Sequence, residues 1–330
     1  MAIPPALVHV LAAVDAPPGL AAAAQLLSQR YRAGVDETSP GVTSDLARAA
    51  YVAVRMPATA SAVDAALVSG LEVATPVVTS HLDLGSGTGA ALWAAAEHLP
   101  GIVRQTAVER DRKFITIAKQ LVADAELPAC TWIEADLRAL PTLPPHDLVT
   151  VSYAINELSA DEGLVLIDQA WALTTRWLLI VEPGTPRGFG AIAAARRRLL
   201  AVGAHPVGPC THAATCPLDG ASPAGAPGWC HQSVRLPRTR IHRAAKGADL
   251  GWEDEPFSWL MLSRDPVAVR GSRVLAPPRV HKGAVELQLC TANGFAATSV
   301  RRNDRVAYKT ASDLEWGDRF DPGTAELHSA

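Results

Sequence analysis

An α/β fold built on a mostly parallel sheet is what this 330-residue sequence predicts, and three observations predict it. Short apolar runs alternate with helix-periodic segments between about residues 76 and 205. A glycine-rich turn, GSGTG (85–89), falls where the first apolar run meets the helix after it. The next two runs end on acids, Glu109 and Asp136. Strands that read apolar throughout and are separated by helices belong in a parallel sheet covered on both faces.

Taken in order, residues 1–75 read as helical. LAAAAQLLSQRYR (20–32) and SDLARAAYVAVR (44–55) carry apolar residues near helical spacing, and SAVDAALVSGL (61–71) follows a break at Pro57. VVTSHLDLG (77–85) is the first buried strand, followed by a helix from about Ala90 to His98. Then come the strand RQTAVE (104–109), the helix RKFITIAKQLVADA (112–125) and the strand CTWIEAD (130–136). The strand DLVTVSY (147–153), the helix DEGLVLIDQAWALT (161–174) and the strand WLLIVEP (177–183) follow. The α/β unit is therefore expected over 76–205. Residues 206–232 form a Gly/Pro-rich loop holding three cysteines. Beyond it, short runs such as SVRLPRTRIHRA, FSWLMLSR, AVELQLC and RVAYKT alternate with prolines, glycines and charges, which predicts a small, mostly β part over 206–330.

At 48% apolar content the chain can bury a sizeable core, and no apolar run approaches the length of a membrane span. The N-terminal stretch has no Lys or Arg before Arg30. It resembles neither a secretory signal nor an Arg-rich presequence, so a cytoplasmic location is expected, with no membrane partner. Disulfides are then not expected, and clustered cysteines read as metal ligands or reactive groups. The net charge of −3 taken alone argues against a strongly basic nucleic-acid binder, and no DNA partner is expected. Its distribution is uneven: from Arg187 to Lys246 there are nine Lys/Arg against one acid, Asp219. Such a window suggests a local polyanion-binding face. Arg196, Arg197 and Arg198 taken alone read as a solvated helix face, and Arg outnumbers Lys 25 to 5 throughout.

HLDLGSGTGAALWAAA places Asp83 at the end of the first strand, then Gly85, Ser86, Gly87 and Gly89 ahead of a helix. Glycines let the backbone turn sharply and approach a ligand without a Cβ clash, and the junction lies in the crevice where open α/β sheets bind ligands. The GxGxG spacing with a preceding acid departs from the dinucleotide fingerprint. It is similar to motif I of class I S-adenosylmethionine-dependent methyltransferases, a Rossmann-like fold. By that resemblance Glu109 would accept from the ribose hydroxyls, while Asp136 and Leu137 would meet the adenine. Ser152, Asn156 and Glu157 would border cofactor and substrate. No catalytic signature follows the fourth strand: there is no Pro-Pro-aromatic loop and no cysteine at a nucleophile position. Cys130 reads as a small buried apolar residue.

Cys210, Cys216 and Cys230 lie within GPCTHAATCPLDGASPAGAPGWCHQ, with Cys290 further on. A loop of this composition has little apolar surface with which to fold itself, and metal ligation would supply the missing free energy. The spacing lacks the tight CxxC pairs of zinc ribbons. His212 and His231 flank the set, so a zinc site remains open beside a cubane iron–sulfur cluster.

Several longer segments carry a closer resemblance. These are LSQRYR (27–32), AYVAVRMPAT (50–59), LDLGSGTG (82–89), EPGTPRGF (182–189) and PCTHAATCPL (209–218). WCHQSVRLPRTRIHRAAKG (229–247), FSWLMLSR (257–264), PPRVHKGAVELQLC (277–290) and WGD (316–318) complete the set. They make the chain look like a bacterial member of the mitochondrial small-ribosomal-subunit assembly family that includes methyltransferase-like protein 17. The resemblance implies a [4Fe–4S] cluster on Cys210, Cys216, Cys230 and Cys290, and association with small-subunit ribosomal RNA. Arg235, Arg238, Arg240, Arg243 and Lys246 would then contact phosphates, with Trp229 or Trp252 stacking on bases. Arg55 and Thr59 are candidates for the cofactor or acceptor entrance. The resulting expectation is a two-part protein that transfers methyl groups to ribosomal RNA. Its rivals are an assembly factor without turnover and a small-molecule or protein methyltransferase with a structural zinc.

Overall fold

The computed structural model describes residues 3–33, 42–123, 125–220, 222–246, 250–268 and 271–321. Asp124 of the expected helix 112–125, Gly247 of the segment 229–247 and the side chains of Arg30, Tyr31 and Arg32 in LSQRYR lie outside the described residues. Apolar periodicity produces α1 (Pro5–Ala13), α2 (Leu20–Ala33) and α3 (Asp45–Ala50). Ser44 caps α3 by accepting from the Ala47 N–H at 3.1 Å. The break expected at Pro57 does not occur. The chain passes from α3 through a π-helical turn, Tyr51–Arg55, directly into α4 (Met56–Leu71). Pro57 sits in the first turn of α4, where a missing N–H costs least, and the wider turn ahead of it makes room for the ring.

The alternating region forms β1 (Ser80–Leu84), α5 (Ala90–His98), β2 (Arg104–Glu109), α6 (Arg112–Val122) and β3 (Ala129–Glu134). It continues with β4 (His146–Ser152), α7 (Ala160–Ala172), β5 (Thr174–Pro183) and α8 (Pro186–Leu200). These five strands are parallel in the order β3-β2-β1-β4-β5. Then follow β6 (His205–Gly208), β7 (Gln232–Pro237), α9 (Arg240–Lys246) and β8 (Trp252–Ser263). β8 lies antiparallel to β5 from Trp177↔Ser263 to Pro183↔Phe257. Its outer edge takes β6 near Met261 and β7 between Trp252 and Phe257. The main sheet thus draws three strands from beyond residue 205, including the FSWLMLSR run. A five-stranded parallel half extended by a reversed strand makes this a class I methyltransferase fold.

Alternate side chains of the central strands feed two cores, as a two-sided sheet requires. Val149, Val151, Leu178 and Ile180 pack towards α7 and α8. Leu148, Trp177, Leu179 and Val181 pack with Trp259 towards α4 and α5. Each fully buried side chain of this size contributes about 1.5–3 kcal/mol. The remaining elements are β9 (Ser272–Val274), β10 (Arg279–Val280), β11 (Ala284–Thr291), β12 (Gly294–Arg301), α10 (Arg305–Ser312) and β13 (Arg319–Phe320). Their strands form a separate antiparallel sheet around Val274, Leu287, Leu289 and Phe320. The mostly β character expected for this part holds for residues 272–320.

Candidate functional site

At the end of β1 the chain turns through Gly85, Gly87 and Gly89 with φ of +75°, +54° and +83°, a region that strains L side chains. The Gly85 and Ser86 N–H groups donate to the Val108 carbonyl at 2.9 and 3.0 Å, folding the loop over β2. Gly87 N–H donates to Glu109 Oε2 and Asp111 N–H to Glu109 Oε1, both at 2.8 Å. The strand-end acid is therefore held by the loop it was expected to accompany. Tyr51, in the π-helical turn, leans over this loop: a Cβ on Gly87 would come within 3.3 Å of its hydroxyl.

Asp83 is oriented from beneath. Thr150 Oγ1 donates to Asp83 Oδ1 at 2.7 Å, and His81 Nε2 lies 2.8 Å from the same hydroxyl. Burial pushes the His81 imidazole down to about 3, so it is neutral. Thr150 gives its proton to Asp83, so its oxygen accepts from His81 Nε2–H, and Nδ1 is left to accept from Gln105 Nε2 at 3.3 Å. Asp83 Oδ2 has no partner. Burial raises the Asp83 carboxyl to about 7, against the Thr150 hydrogen bond, which lowers it. Glu182, at the end of β5, has the same character. Its Oε1 accepts from Ile155 N–H at 2.9 Å, its Oε2 has no partner, and burial raises it to about 8. Burial raises Glu109 as well. No ion pair reaches any of the three carboxyls among the described residues.

The other predicted cofactor residues ring this loop. Asp136 caps the short turn Leu137–Ala139 by accepting from Arg138 N–H at 2.9 Å, and Leu137 packs against Gly85. Ser152 is buried at the end of β4. Arg110 bridges the rim, 3.9 Å from Asp136 and 3.4 Å from Glu157. Asn156 has an unpartnered Oδ1, and its carbonyl accepts from Arg187 at 3.0 Å. Of the entrance candidates, Thr59 is buried in α4, while Arg55 pairs with Glu255 at 3.3 Å.

Residues missed in the sequence complete this picture. Tyr153 follows β4 with φ +56°, a conformation that costs a bulky residue about 1–3 kcal/mol. Its hydroxyl donates to Glu255 at 3.2 Å, and the Arg55 guanidinium lies 5.3 Å from its ring centroid. Burial, with Glu255 beside it, holds the phenol well above its usual range. Nothing in the sequence signals that backbone. Glu182 was legible, because it ends a buried strand as Asp83 and Glu109 do.

The second site depends on β8. Because β6 and β7 share its outer edge, the loop between them begins and ends side by side, and Ser258 Oγ donates to the Cys230 carbonyl at 2.8 Å. Cys290 arrives from β11, where it pairs with Arg273 of β9. Cys210, Cys216, Cys230 and Cys290 wall one cavity of about 30 Å³ with Phe189, Leu218 and Leu275. No group of three His, Cys, Asp or Glu among the described residues stands ready around a single metal ion; a shared cavity unites the thiols. Burial, and then the neighbouring thiols, raise Cys216, Cys230 and Cys290, the last to about 12.

Two arginines stand among these thiols. Arg196, expected on a solvated face, is instead buried: its Nε–H donates to Cys210 Sγ at 3.2 Å, and its Nη2 donates to the carbonyls of His212 and Ala214. Arg273 is 2% exposed. It donates to the carbonyls of Pro209 at 2.7 Å and Gly317 at 2.6 Å, which leaves Nη2 unpartnered. His212 Nε2 lies 3.2 Å from Cys290 Sγ. His231 stacks on Trp229 and meets the edge of Trp316, joining the WCH and WGD segments. Cys130 stands apart on β3, half-buried.

The basic window is largely neutralised, mostly by acids that lie outside it. Arg197 pairs with Asp219, Arg198 with Asp168, and Arg235 with Asp254. Arg238 and Lys246 share Glu253 at 2.9 and 3.6 Å. Burial works against the Glu253 carboxylate, but the His242 imidazole 3.1 Å away and the hydrogen bond from Arg238 hold it down to about 2. Arg240 and Arg243 are exposed without an ion pair among the described residues. Trp229 is tied inward by a 3.0 Å bond to the Gly184 carbonyl, and the face of Trp252 is covered by Arg235 at 3.8 Å.

Comparison with known proteins adds the following. The profile of the family described as Mitochondrial small ribosomal subunit Rsm22 matches residues 45–321. The human protein named Ribosome assembly protein METTL17, mitochondrial, is 25% identical over 277 residues, which is 74% of this chain and 58% of the human protein. Among solved structures, magnesium protoporphyrin IX methyltransferase from Synechocystis PCC 6803 with bound SAH has a TM-score of 0.39 at 15% identity, covering 73% of this chain and 94% of that one. A putative RNA methyltransferase from Pyrococcus horikoshii has a TM-score of 0.38 at 12% identity, covering 73% and 95%. The fold assignment rests on strand order and register.

Proposed function

Because the chain belongs to the family described as Mitochondrial small ribosomal subunit Rsm22, we propose that it is an S-adenosylmethionine-binding, methyltransferase-like protein that acts on small-subunit ribosomal RNA during ribosome assembly, in the cytoplasm, and carries a [4Fe–4S] cluster. The observation that carries this reading is that the family match takes in both the glycine cradle and the cysteine cavity. S-adenosylmethionine supplies an activated methyl group on a sulfonium cation. A buried Asp83 with one unpartnered oxygen suits a cationic ligand, and the glycine loop admits its close approach. Glu109 would hold the ribose, and Asp136 with Leu137 the adenine. Ser152, Asn156 and Glu157 would border the acceptor, which needs mainly to be held in line with the methyl group. Arg55, Tyr153 and Glu255 form a bonded cluster just past the end of β4.

The donor set at the second site suits iron–sulfur ligation. Four thiols would become thiolates on binding, and the buried guanidiniums of Arg196 and Arg273 would offset their charge. Zinc is the alternative that such ligands also suit. RNA crosslinked to the chain in cells is expected to be small-subunit ribosomal RNA; recovery of messenger RNA alone, or of none, would count against the assembly role. A second reading, an assembly factor without turnover, is favoured by one observation: Arg55, Tyr153 and Glu255 are bonded to one another. If assembly proceeds unaltered when Gly87→Leu abolishes cofactor binding, that second reading is preferred.

A further inference from the structure

The charge window that stands out in the sequence is mostly spent on internal pairs, whereas a second group of basic residues is not. Arg279, Lys282, Arg301, Arg302, Arg305 and Lys309 are all exposed, and none has an ion pair among the described residues. Between Arg279 and Lys309 the acids are Glu286 and Asp304. Asp304 is used as the cap of α10, accepting from Ala307 N–H at 3.0 Å, and Glu286 faces His281 at 3.7 Å.

Three chain segments bring these side chains to one end of the antiparallel sheet. Lys282 lies in the turn between β10 and β11, and Arg301 ends β12 opposite Ala284. Arg302 N–H donates to the Gly283 carbonyl at 3.0 Å, and Tyr308 Oη donates to the His281 carbonyl at 3.0 Å, fastening the hairpin turn to α10. Arg302, Asn303, Arg305 and Tyr308 line an open recess of about 650 Å³. Two guanidiniums supply forked donors for phosphate oxygens, Asn303 an amide, and Tyr308 an aromatic ring beside them.

We propose that this end of the C-terminal sheet is an RNA-binding face, with Arg302 and Arg305 gripping backbone phosphates. The proposal rests on the assembly reading and places the contact outside the 187–246 window. Unpaired cations suit a polyanion because neutralising its phosphates releases the counterions condensed on them, and no internal ion pair has to be broken first.

The test uses the full chain and a hairpin RNA taken from small-subunit ribosomal RNA, titrated at several salt concentrations. Arg302→Glu/Arg305→Glu is expected to weaken binding at least about tenfold and to reduce the slope of log affinity against log salt by about two. Arg302→Lys/Arg305→Lys should keep the slope, and Arg235→Gln should change little. Melting temperatures establish that the variants are folded. Ultraviolet crosslinking of the unaltered chain gives an independent readout, with crosslinked peptides expected from 301–309. Wild-type affinity and slope in the Glu variant, or crosslinks confined to 187–246, would overturn the proposal and leave the assembly reading standing. Failure of the unaltered chain to bind the hairpin would remove both. Binding to anionic phosphatidylserine vesicles without binding to the hairpin would also overturn it.

Discussion

The glycine cradle and the cysteine cavity both bury ionisable groups that lack partners, but the groups are of opposite kind. Around the cradle, Asp83 and Glu182 are buried carboxyls, each with one oxygen unpartnered. Burial raises them to about 7 and about 8. In the cysteine cavity the fixed charges are the Arg196 and Arg273 guanidiniums, and burial keeps the Cys216, Cys230 and Cys290 thiols protonated. The carboxyls of one pocket would be stabilised as carboxylates by a cation, and the guanidiniums of the other by anions. A sulfonium cofactor would complete the first, and thiolates bound to metal would complete the second. A ligand's charge can thus be read from what its pocket lacks, since an uncompensated buried charge is costly.

The largest expected effect separates the two pockets. Gly87→Leu forces a side chain into left-handed backbone beneath the Tyr51 hydroxyl, so S-adenosylmethionine affinity should fall more than about a hundredfold by calorimetry. Metal content should not change. Loss of both would mean that the pockets are not independent.

Next is the sign of the cradle's charge. Asp83→Asn should weaken S-adenosylmethionine by roughly tenfold or more, about 1.4 kcal/mol. Uncharged-sulfur S-adenosylhomocysteine should weaken less. The raised folded-state pKa means that Asp83 favours the ligand-free fold while protonated, and that this contribution is lost as pH rises through about 7. A cation favours the carboxylate, so affinity should rise over the same window, with proton release on binding near pH 7 that Asp83→Asn lessens. Proton uptake would reverse the assignment.

In the cysteine cavity, Arg273→Met removes a buried positive charge. The midpoint potential of a bound cluster should fall by on the order of tens of millivolts in a redox titration followed by electron paramagnetic resonance. An unchanged potential would deny Arg273 its compensating role. The smallest effect lies outside both pockets. Arg235→Ala breaks an exposed pair with Asp254 and should cost less than about 1 kcal/mol in denaturant unfolding.

These contrasts also mark what the sequence could convey. The strands and helices from Ser80 to Pro183 were legible because their periodicity is local, and Asp83, Glu109 and the glycines stand at strand ends where the topology gathers them. Pro57 misled, because a π-helical turn accommodates a proline that the ordinary rule reads as a break. β8 was read as part of a separate C-terminal unit; pairing with β5 is a long-range choice that no local pattern announces. Arg196 looked like its neighbours Arg197 and Arg198, yet helical rotation turns it inward to Cys210. The charge count from 187 to 246 was correct, but its partners Asp168, Glu253 and Asp254 lie outside that window, so the count overstated the free charge.

The most direct test of the account is the metal and sulfide content of the full chain purified without oxygen. It should be brown, with about four irons and four acid-labile sulfides per chain, and Cys230→Ser should abolish both. A colourless protein holding one tightly bound zinc and no sulfide would contradict the account.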